Sequence, residues 1–268
     1  MTLEIFSITK SEAFLVQREG HYKVAMGGFT LQFYFKPSLS KKALIFSPGF
    51  IDRTKFPNPY FQRIKWLKKF DAVGISLADP TLDLNETIEI GWFLGTIQDY
   101  YLRQITEFLH ELLNHLKIRK ESTLFFGSSA GGFSSLAFAA YIRGSCAFAV
   151  NPQTNILKFH GYEELAKISH HCFKGSSAIG MEKNWKSRLC ISTLYATIKF
   201  IPRIMIWQNT ADAFHYSNHL VPFLQELEQV DCAKQISIEL HSDSILGHTP
   251  PGLDILNEKF ELILKNWL

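Results

Sequence analysis

Leu124-Phe125-Phe126-Gly127-Ser128-Ser129-Ala130-Gly131-Gly132-Phe133 is an apolar run that passes through G-x-S-x-G into a second apolar stretch, Phe133 to Ile142, with helical spacing. A strand that turns sharply into a helix at a serine lifts the hydroxyl above the sheet, and small flanking residues let the backbone close that turn. The register selects Ser129 as the nucleophile. Centring the pattern on Ser128 would put Phe126 and Ala130 where the glycines belong.

Working outward, short apolar runs alternate with helix-like segments. Ala43 to Ser47 ends in Pro48-Gly49, Phe70 to Leu77 follows, and a helix is expected between them over Tyr60 to Lys69. A long amphipathic helix is expected over Gly91 to Leu116, delivering the chain to a strand at Ser122 to Phe126. Ala147 to Val150, Arg203 to Trp207 and Gln235 to Leu240 supply further strands. This is the pattern of an α/β domain with a mainly parallel central sheet covered by helices on both faces. Upstream, Leu3 to Ile8, Ala13 to Gln17, Tyr22 to Met26 and Phe29 to Phe35 read as antiparallel strands at the sheet's edge. Residues 154–202 are longer than one crossover requires and read as a helical cap insertion over the strand C-terminal ends, where substrate selectivity would reside.

The 268 residues, 46% hydrophobic and 20% charged, suit a single domain spanning 1–268. A net charge of +3 with dispersed Lys and Arg gives no nucleic-acid face. The start MTLEIFSITKSEAF lacks the apolar core of a secretory signal, and no stretch reaches membrane-spanning length, so the expected compartment is the cytoplasm. Cys146, Cys172, Cys190 and Cys232 lack C-x-x-C spacing and read as free thiols. Neither nucleotide-binding glycine motif is present, and His215 and His219, although four apart, lack the H-E-x-x-H pattern, so no bound cofactor and no metal are expected. Oligomeric state is not legible.

A serine hydroxyl needs a base to take its proton and an acid to orient that base. After this kind of elbow the acid precedes the histidine in the chain. Ile204 to Trp207 runs into Gln208-Asn209-Thr210-Ala211-Asp212, which makes Asp212 the candidate acid. The last strand is followed by a Gly-containing loop ending at His248, the candidate base. Asp243 is the rival acid, and His241, His215 and His219 are rival histidines; His241 would continue the strand and point along the sheet. The oxyanion formed during attack needs two N–H donors, assigned to Ala130 and, because Pro48 has none, to Phe50. Arg53 and Arg63 could meet an anionic or hydroxyl-rich substrate or pair at the surface. Phe56 to Phe61 and Gly91-Trp92 could stack on sugars or serve as core.

With Ser129, the Pro48-Gly49-Phe50 loop, Asp212 and His248 in this order, the chain from about Ala43 onward resembles the α/β-hydrolase superfamily. Gly127 to Gly132 together with Asp79-Pro80-Thr81, Gly91-Trp92-Phe93-Leu94-Gly95 and Asn151-Pro152-Gln153 resembles bacterial capsule and accessory-secretion O-acetyltransferases of this fold. That resemblance implies acetyl-CoA as donor, an acetyl-Ser129 intermediate and a sugar hydroxyl as acceptor. Hydrolysis of a small ester uses the same residues. A serine peptidase, or an idle fold that binds a glycan or protein, is the reading from outside this chemistry.

Overall fold

The structure, a computed structural model, describes residues 3–268; the first two residues of the stretch read above for a secretory signal lie outside them. Among the described residues nine strands are β1 Ile5–Thr9, β2 Gly20–Ala25, β3 Thr30–Lys36, β4 Ala43–Phe46, β5 Val73–Leu77, β6 Thr123–Ser128, β7 Cys146–Val150, β8 Arg203–Asn209 and β9 Ile236–His241. They form one sheet in the order β1-β2-β3-β5-β4-β6-β7-β8-β9. From β5 to β9 every neighbouring pair is parallel.

The helices are α1 Ile64–Leu67, α2 Tyr101–His115, α3 Ala130–Tyr141, α4 Tyr162–Phe173, α5 Ala178–Leu189, α6 Ile191–Ile198, α7 Ala213–His215, α8 Val221–Glu228 and α9 Leu253–Asn266. The two-residue period of a strand sends alternate side chains to opposite faces. Ile45, Phe125, Ala147 and Ile206 join a core with residues of α2, α3, α6 and α8. Their neighbours Leu44, Phe126, Phe148 and Trp207 join a second core with Leu67 of α1 and Leu256, Phe260 and Ile263 of α9. Central strands buried on both faces therefore read as unbroken apolar runs. The α/β class, the mainly parallel sheet and the helices on both faces are as the alternation in the sequence predicts.

Four expectations need correction. β2 and β3 are antiparallel to each other and β3 to β5, but β1 runs parallel to β2. The segment expected as a strand over 13–17 lies largely in a 3-10 helix, Lys10–Leu15. There the Glu12 carboxylate accepts from the Thr9 backbone N–H (2.7 Å) and hydroxyl (2.8 Å) and turns the chain. Ala13 and Val16 are buried at a spacing of three. The helix expected from Gly91 starts only at Tyr101, because Trp92, Phe93 and Gly95 have φ of 50°, 56° and 66°, outside right-handed helix. The helix expected over 60–69 shrinks to α1, preceded by Arg63 at φ 62°.

Between β7 and β8 the chain makes a 3-10 turn, Ile156–Lys158, and then α4, α5 and α6. α6 packs on α3, and α4 packs on the 3-10 turn Pro80–Leu84 that follows β5. Lys167 Nζ donates to the Thr87 carbonyl (2.9 Å) and Glu164 accepts from the Glu89 N–H (3.3 Å), tying α4 to the 85–89 loop. Among the described residues no helix is long and apolar enough to cross a membrane.

Candidate active site

Ser129 sits between β6 and α3 with φ 54° and ψ −120°. Such backbone costs of order 1–3 kcal/mol and persists only where surroundings impose it. Here the Ser129 N–H continues the ladder onto the Val150 carbonyl (3.0 Å), while its own carbonyl accepts from Phe133 (3.2 Å) and Gln153 (3.1 Å). A Cβ on Gly127 would run into the backbone of Gly131, and one on Gly131 would lie 2.9 Å from the Pro48 oxygen. Both glycines of G-x-S-x-G are thus demanded by close backbone approach.

The Pro48-Gly49-Phe50 loop, the candidate oxyanion loop, is clamped by a residue the sequence did not single out. Gln62 Oε1 accepts from the Gly49 N–H (3.1 Å) and Gln62 Nε2 donates to the Phe50 carbonyl (3.1 Å). Gly49 is therefore committed, which leaves Phe50 as the loop's candidate donor. Ala130, the first residue of α3, contributes one of the helix's unpaired first-turn amides.

β8 ends at Asn209, and the following turn places Asp212 as the N-cap of α7. Asp212 is buried, and each carboxylate oxygen meets a different imidazole: Oδ2 meets His248 Nδ1 at 2.6 Å, Oδ1 meets His215 Nδ1 at 3.0 Å. Burial alone would raise the Asp212 carboxyl. The hydrogen bonds from His215 and His248 outweigh it and hold the group well below the usual carboxylate range. His215 is almost fully buried and its ring stacks on His248, centroids 3.8 Å apart and 12° from parallel. Burial keeps His215 neutral by lowering its pKa, against the pull of Asp212. The His248 side chain is 40% exposed, so part of the candidate base is open to an incoming group.

Asp212 and His248 are thus brought together; of the rivals, His215 shares the same carboxylate, and the others are occupied elsewhere. Asp243 Oδ1 accepts from the N–H groups of Ile245 (2.9 Å) and Leu246 (3.0 Å), shaping its own turn. His241 stacks on Trp207 at 3.5 Å. His219 is buried, with Nδ1 accepting from the Thr154 N–H (3.3 Å). No hydrogen bond joins Ser129 to His248; the partner of Ser129 Oγ is Gln153 Nε2 at 3.3 Å. Catalytic hydrogen bonds are often long without substrate and tighten in the Michaelis complex.

Two further residues were missed. Gln153 is fully buried and its orientation is set by Trp92, whose indole N–H can only donate and reaches Gln153 Oε1 at 2.6 Å. Nε2 is thereby turned toward Ser129. The Trp92 loop in turn hangs on Asp79, whose oxygens accept from Thr81 N–H and Phe93 N–H, both at 2.8 Å. The DPT, GWFLG and NPQ segments thus form one chain of contacts ending at the serine. Asn209 is the second. Its Nδ2 donates to the carbonyls of Asp243 (2.7 Å) and Gly247 (2.9 Å), and its Oδ1 accepts from Asp243 N–H (2.9 Å), pinning the loop that carries His248 to the end of β8.

Asp212, His215 and His248 also offer ligand atoms within 4.8 Å of one another, a donor set that a divalent cation could use. Both Asp212 oxygens are already engaged by the two imidazoles, so an ion bound by that carboxylate would compete with at least one of these hydrogen bonds. A separate cleft of about 510 Å³, lined by Cys146, Arg203 and Trp267, lies where β7 and β8 begin. That is the opposite end of the sheet from Ser129 and from the usual ligand side of a parallel sheet.

No protein-family model matches the chain, and comparison with curated protein sequences gives no match. Among solved structures, the capsule O-acetyltransferase of Neisseria meningitidis serogroup A is similar, with a TM-score of 0.67 and 19% identity over 96% of this chain and 99% of that one. An acetyl xylan esterase from Paenibacillus sp. R4 follows at 0.58 and 15% identity, covering 90% of this chain and 80% of its own. The esterase Est2 of Thermogutta terrifontis gives 0.55 and 11%, with 90% of each chain covered. At these identities the likeness is one of architecture, and it establishes that this chain has the α/β-hydrolase fold.

Proposed function

We propose that the protein transfers an acyl group through an acyl-Ser129 intermediate, and that the reaction is O-acetyl transfer to a carbohydrate hydroxyl. The observation that carries this is the buried Asp212 held 2.6 Å from His248 Nδ1, on the same side of the sheet as the strained serine. Donation of the Nδ1 proton to Asp212 leaves Nε2 free to accept one. His248 takes the Ser129 Oγ proton as Oγ bonds to the acyl carbon. The carbonyl oxygen becomes an oxyanion facing the N–H groups of Phe50 and Ala130. Collapse breaks the bond to the leaving thiol or alcohol, which departs with the proton from His248. An acceptor hydroxyl then gives its proton to His248 and attacks the acyl carbon, returning Ser129 with its proton.

Acetyl-CoA as donor is supported by the structure of the Neisseria capsule O-acetyltransferase in complex with CoA. Water as the acceptor, making the protein an esterase, is favoured by the 40% exposure of His248 and by the likeness to an acetyl xylan esterase. Intact mass of the wild type and Ser129→Ala after incubation with acetyl-CoA or a chromogenic acetyl ester separates these. An acetyl adduct from acetyl-CoA, lost in the variant, supports transfer. Ester turnover without thioester use, lost in the variant, supports hydrolysis, and neither adduct nor turnover with either donor sinks the acyl-enzyme reading. Activity that survives a chelator supports the hydrogen-bonded reading of Asp212, His215 and His248 over a metal one.

A further inference from the structure

Arg63 lies beside the nucleophile without an anion to balance it. Its Nη2 donates to Ser128 Oγ (2.7 Å) and its Nη1 to Gln62 Oε1 (3.0 Å), so two of the guanidinium's five N–H donors reach neutral acceptors. The guanidinium carbon lies 5.3 Å from the centroid of Trp66 and 5.6 Å from that of Phe126. No carboxylate among the described residues comes within 4 Å of it. Burial draws its pKa from 12.5 down to about 10, opposed only by the Tyr60 hydroxyl, and it still carries its charge at neutral pH. Arg63 is half-buried on the wall of a cleft, so a partly desolvated charge there lacks a counter-charge, and the backbone is held at φ 62°, a further local cost.

Arg63 lines a cleft of about 360 Å³ together with Phe50, Phe56, Tyr60, Gln62 and Asp52. Phe50 is the oxyanion-loop residue, so the cleft begins next to the reacting carbonyl. Phe56 and Tyr60 stack at 4.3 Å, and Phe56 stays 39% exposed, presenting an aromatic face. The one acidic lining group is already neutralised: Asp52 pairs with Lys55 at 2.7 Å and accepts from the Thr54 N–H at 3.0 Å. Arg53, by contrast, is committed to the carbonyls of Leu82 and Ile88.

We propose that this cleft is the acceptor subsite and takes a sugar bearing a carboxylate or phosphate, with Arg63 as the charge partner and the Phe56–Tyr60 pair as the stacking wall. The assignment rests on the acyl-transfer reading above and narrows its acceptor to an acidic carbohydrate. An aromatic pair suits the apolar face of a sugar ring, a planar guanidinium suits a carboxylate or phosphate edge, and the volume is within the ordinary range for a small ligand. The phosphates of acetyl-CoA carry the same chemistry and are the other source of an anion.

The test uses the full chain, with 4-nitrophenyl acetate as a neutral donor and methyl glucuronide against methyl glucoside as acceptors. In the wild type the acidic acceptor should show a KM roughly tenfold or more below that of the neutral one, as one charge-assisted contact implies. Arg63→Gln should close that gap to about twofold, and Arg63→Lys, which keeps the charge but not the planar fork, should fall between. Inorganic phosphate should raise the KM for the glucuronide and leave that for the glucoside, a measurement that needs no folded variant. Equal KM values in the wild type, or a gap that Arg63→Gln leaves intact, overturn the proposal. If Arg63→Gln instead raises only the KM for acetyl-CoA, and not that for acetyl-pantetheine, which lacks the nucleotide phosphates, the anion belongs to the donor and the acceptor assignment falls. Calorimetric titration of Ser129→Ala with glucuronate and with phosphate, with and without Arg63→Gln, asks about the site apart from chemistry. If the wild type forms no acyl-enzyme, Arg63-dependent binding there would place the failure in the acyl-transfer reading, whereas no binding of either anion overturns the subsite.

Discussion

Asp212 holds two imidazoles at once, one on each oxygen, and the two are not equivalent. His248 is the shorter contact and faces outward, whereas His215 is buried, kept neutral by that burial, and stacked beneath His248. Asp212→Asn puts an amide N–H₂ where one imidazole N–H must be accepted, so His248 loses its fixed tautomer. In a serine–histidine–aspartate site that change lowers kcat by about 10⁴, measurable with any chromogenic acetyl ester the enzyme turns over. His215→Phe keeps a flat ring for the stack and deletes only the second hydrogen bond to the carboxylate. Its expected effect is a fall in kcat of roughly tenfold with KM little changed. If His215→Phe were as damaging as Asp212→Asn, the acid's main duty would be to the buried ring, and His248 would lose its place as the base.

At the scale of elements, the site is assembled where strands end and loops are stapled to them. Asn209 at the tip of β8 makes the bonds that hold the 243–247 turn. Asn209→Leu should leave the sheet intact while freeing the loop: kcat falling about a hundredfold, as misplacement by an ångström can cause, with faster amide exchange confined to residues 243–248. Unchanged exchange in that loop would sink the staple. Trp92→Phe tests the other support, since it removes the N–H that orients Gln153; kcat should fall roughly tenfold, the cost of one misdirected buried hydrogen bond, and an unchanged kcat would show that Gln153 needs no such guide. These supports also mark what the sequence made legible. The strands, α3, Ser129 and the relation of Asp212 to His248 follow from apolar period and chain order. Gln62, Gln153 and Asn209 carry no such period, because an amide's value lies in which two backbones it spans, and that is a property of the folded loops. The same holds for residues 91–100, which have helical apolar spacing yet turn left-handed at Trp92 and Phe93 because Asp79 captures the Phe93 N–H.

For the whole molecule, two buried groups far apart in sequence tie stability to pH with opposite signs. Burial raises the Asp79 carboxyl from 3.8 to about 6 even though it accepts two backbone N–H bonds. Between those values the folded form holds a proton that the unfolded chain has released, so stability falls as pH rises through the window, by about 3 kcal/mol in total. Burial lowers His219 from 6.5 to about 3. In that window the unfolded chain holds the proton and the folded form does not, so stability falls as pH drops, by roughly 3 kcal/mol between pH 6.5 and 4. His215, also lowered by burial, acts in the same direction as His219. Both Asp79 and His219 are nearly or fully shielded from solvent, so screening does not dilute these contributions. The wild type should therefore lose stability between pH 6.5 and 4, but by less than the two histidines alone would cause, because the Asp79 window overlaps theirs and opposes it. Single substitutions uncover the halves. Asp79→Asn, although weakened at every pH by one imperfectly met amide, should lose stability more steeply than the wild type as pH falls from 6 to 4. His219→Asn, whose carboxamide oxygen can take the Thr154 N–H, should lose less than the wild type or gain over the same range. Urea denaturation midpoints at half-unit pH steps for the three proteins read this directly. Parallel curves for all three would mean that neither group titrates where its burial places it.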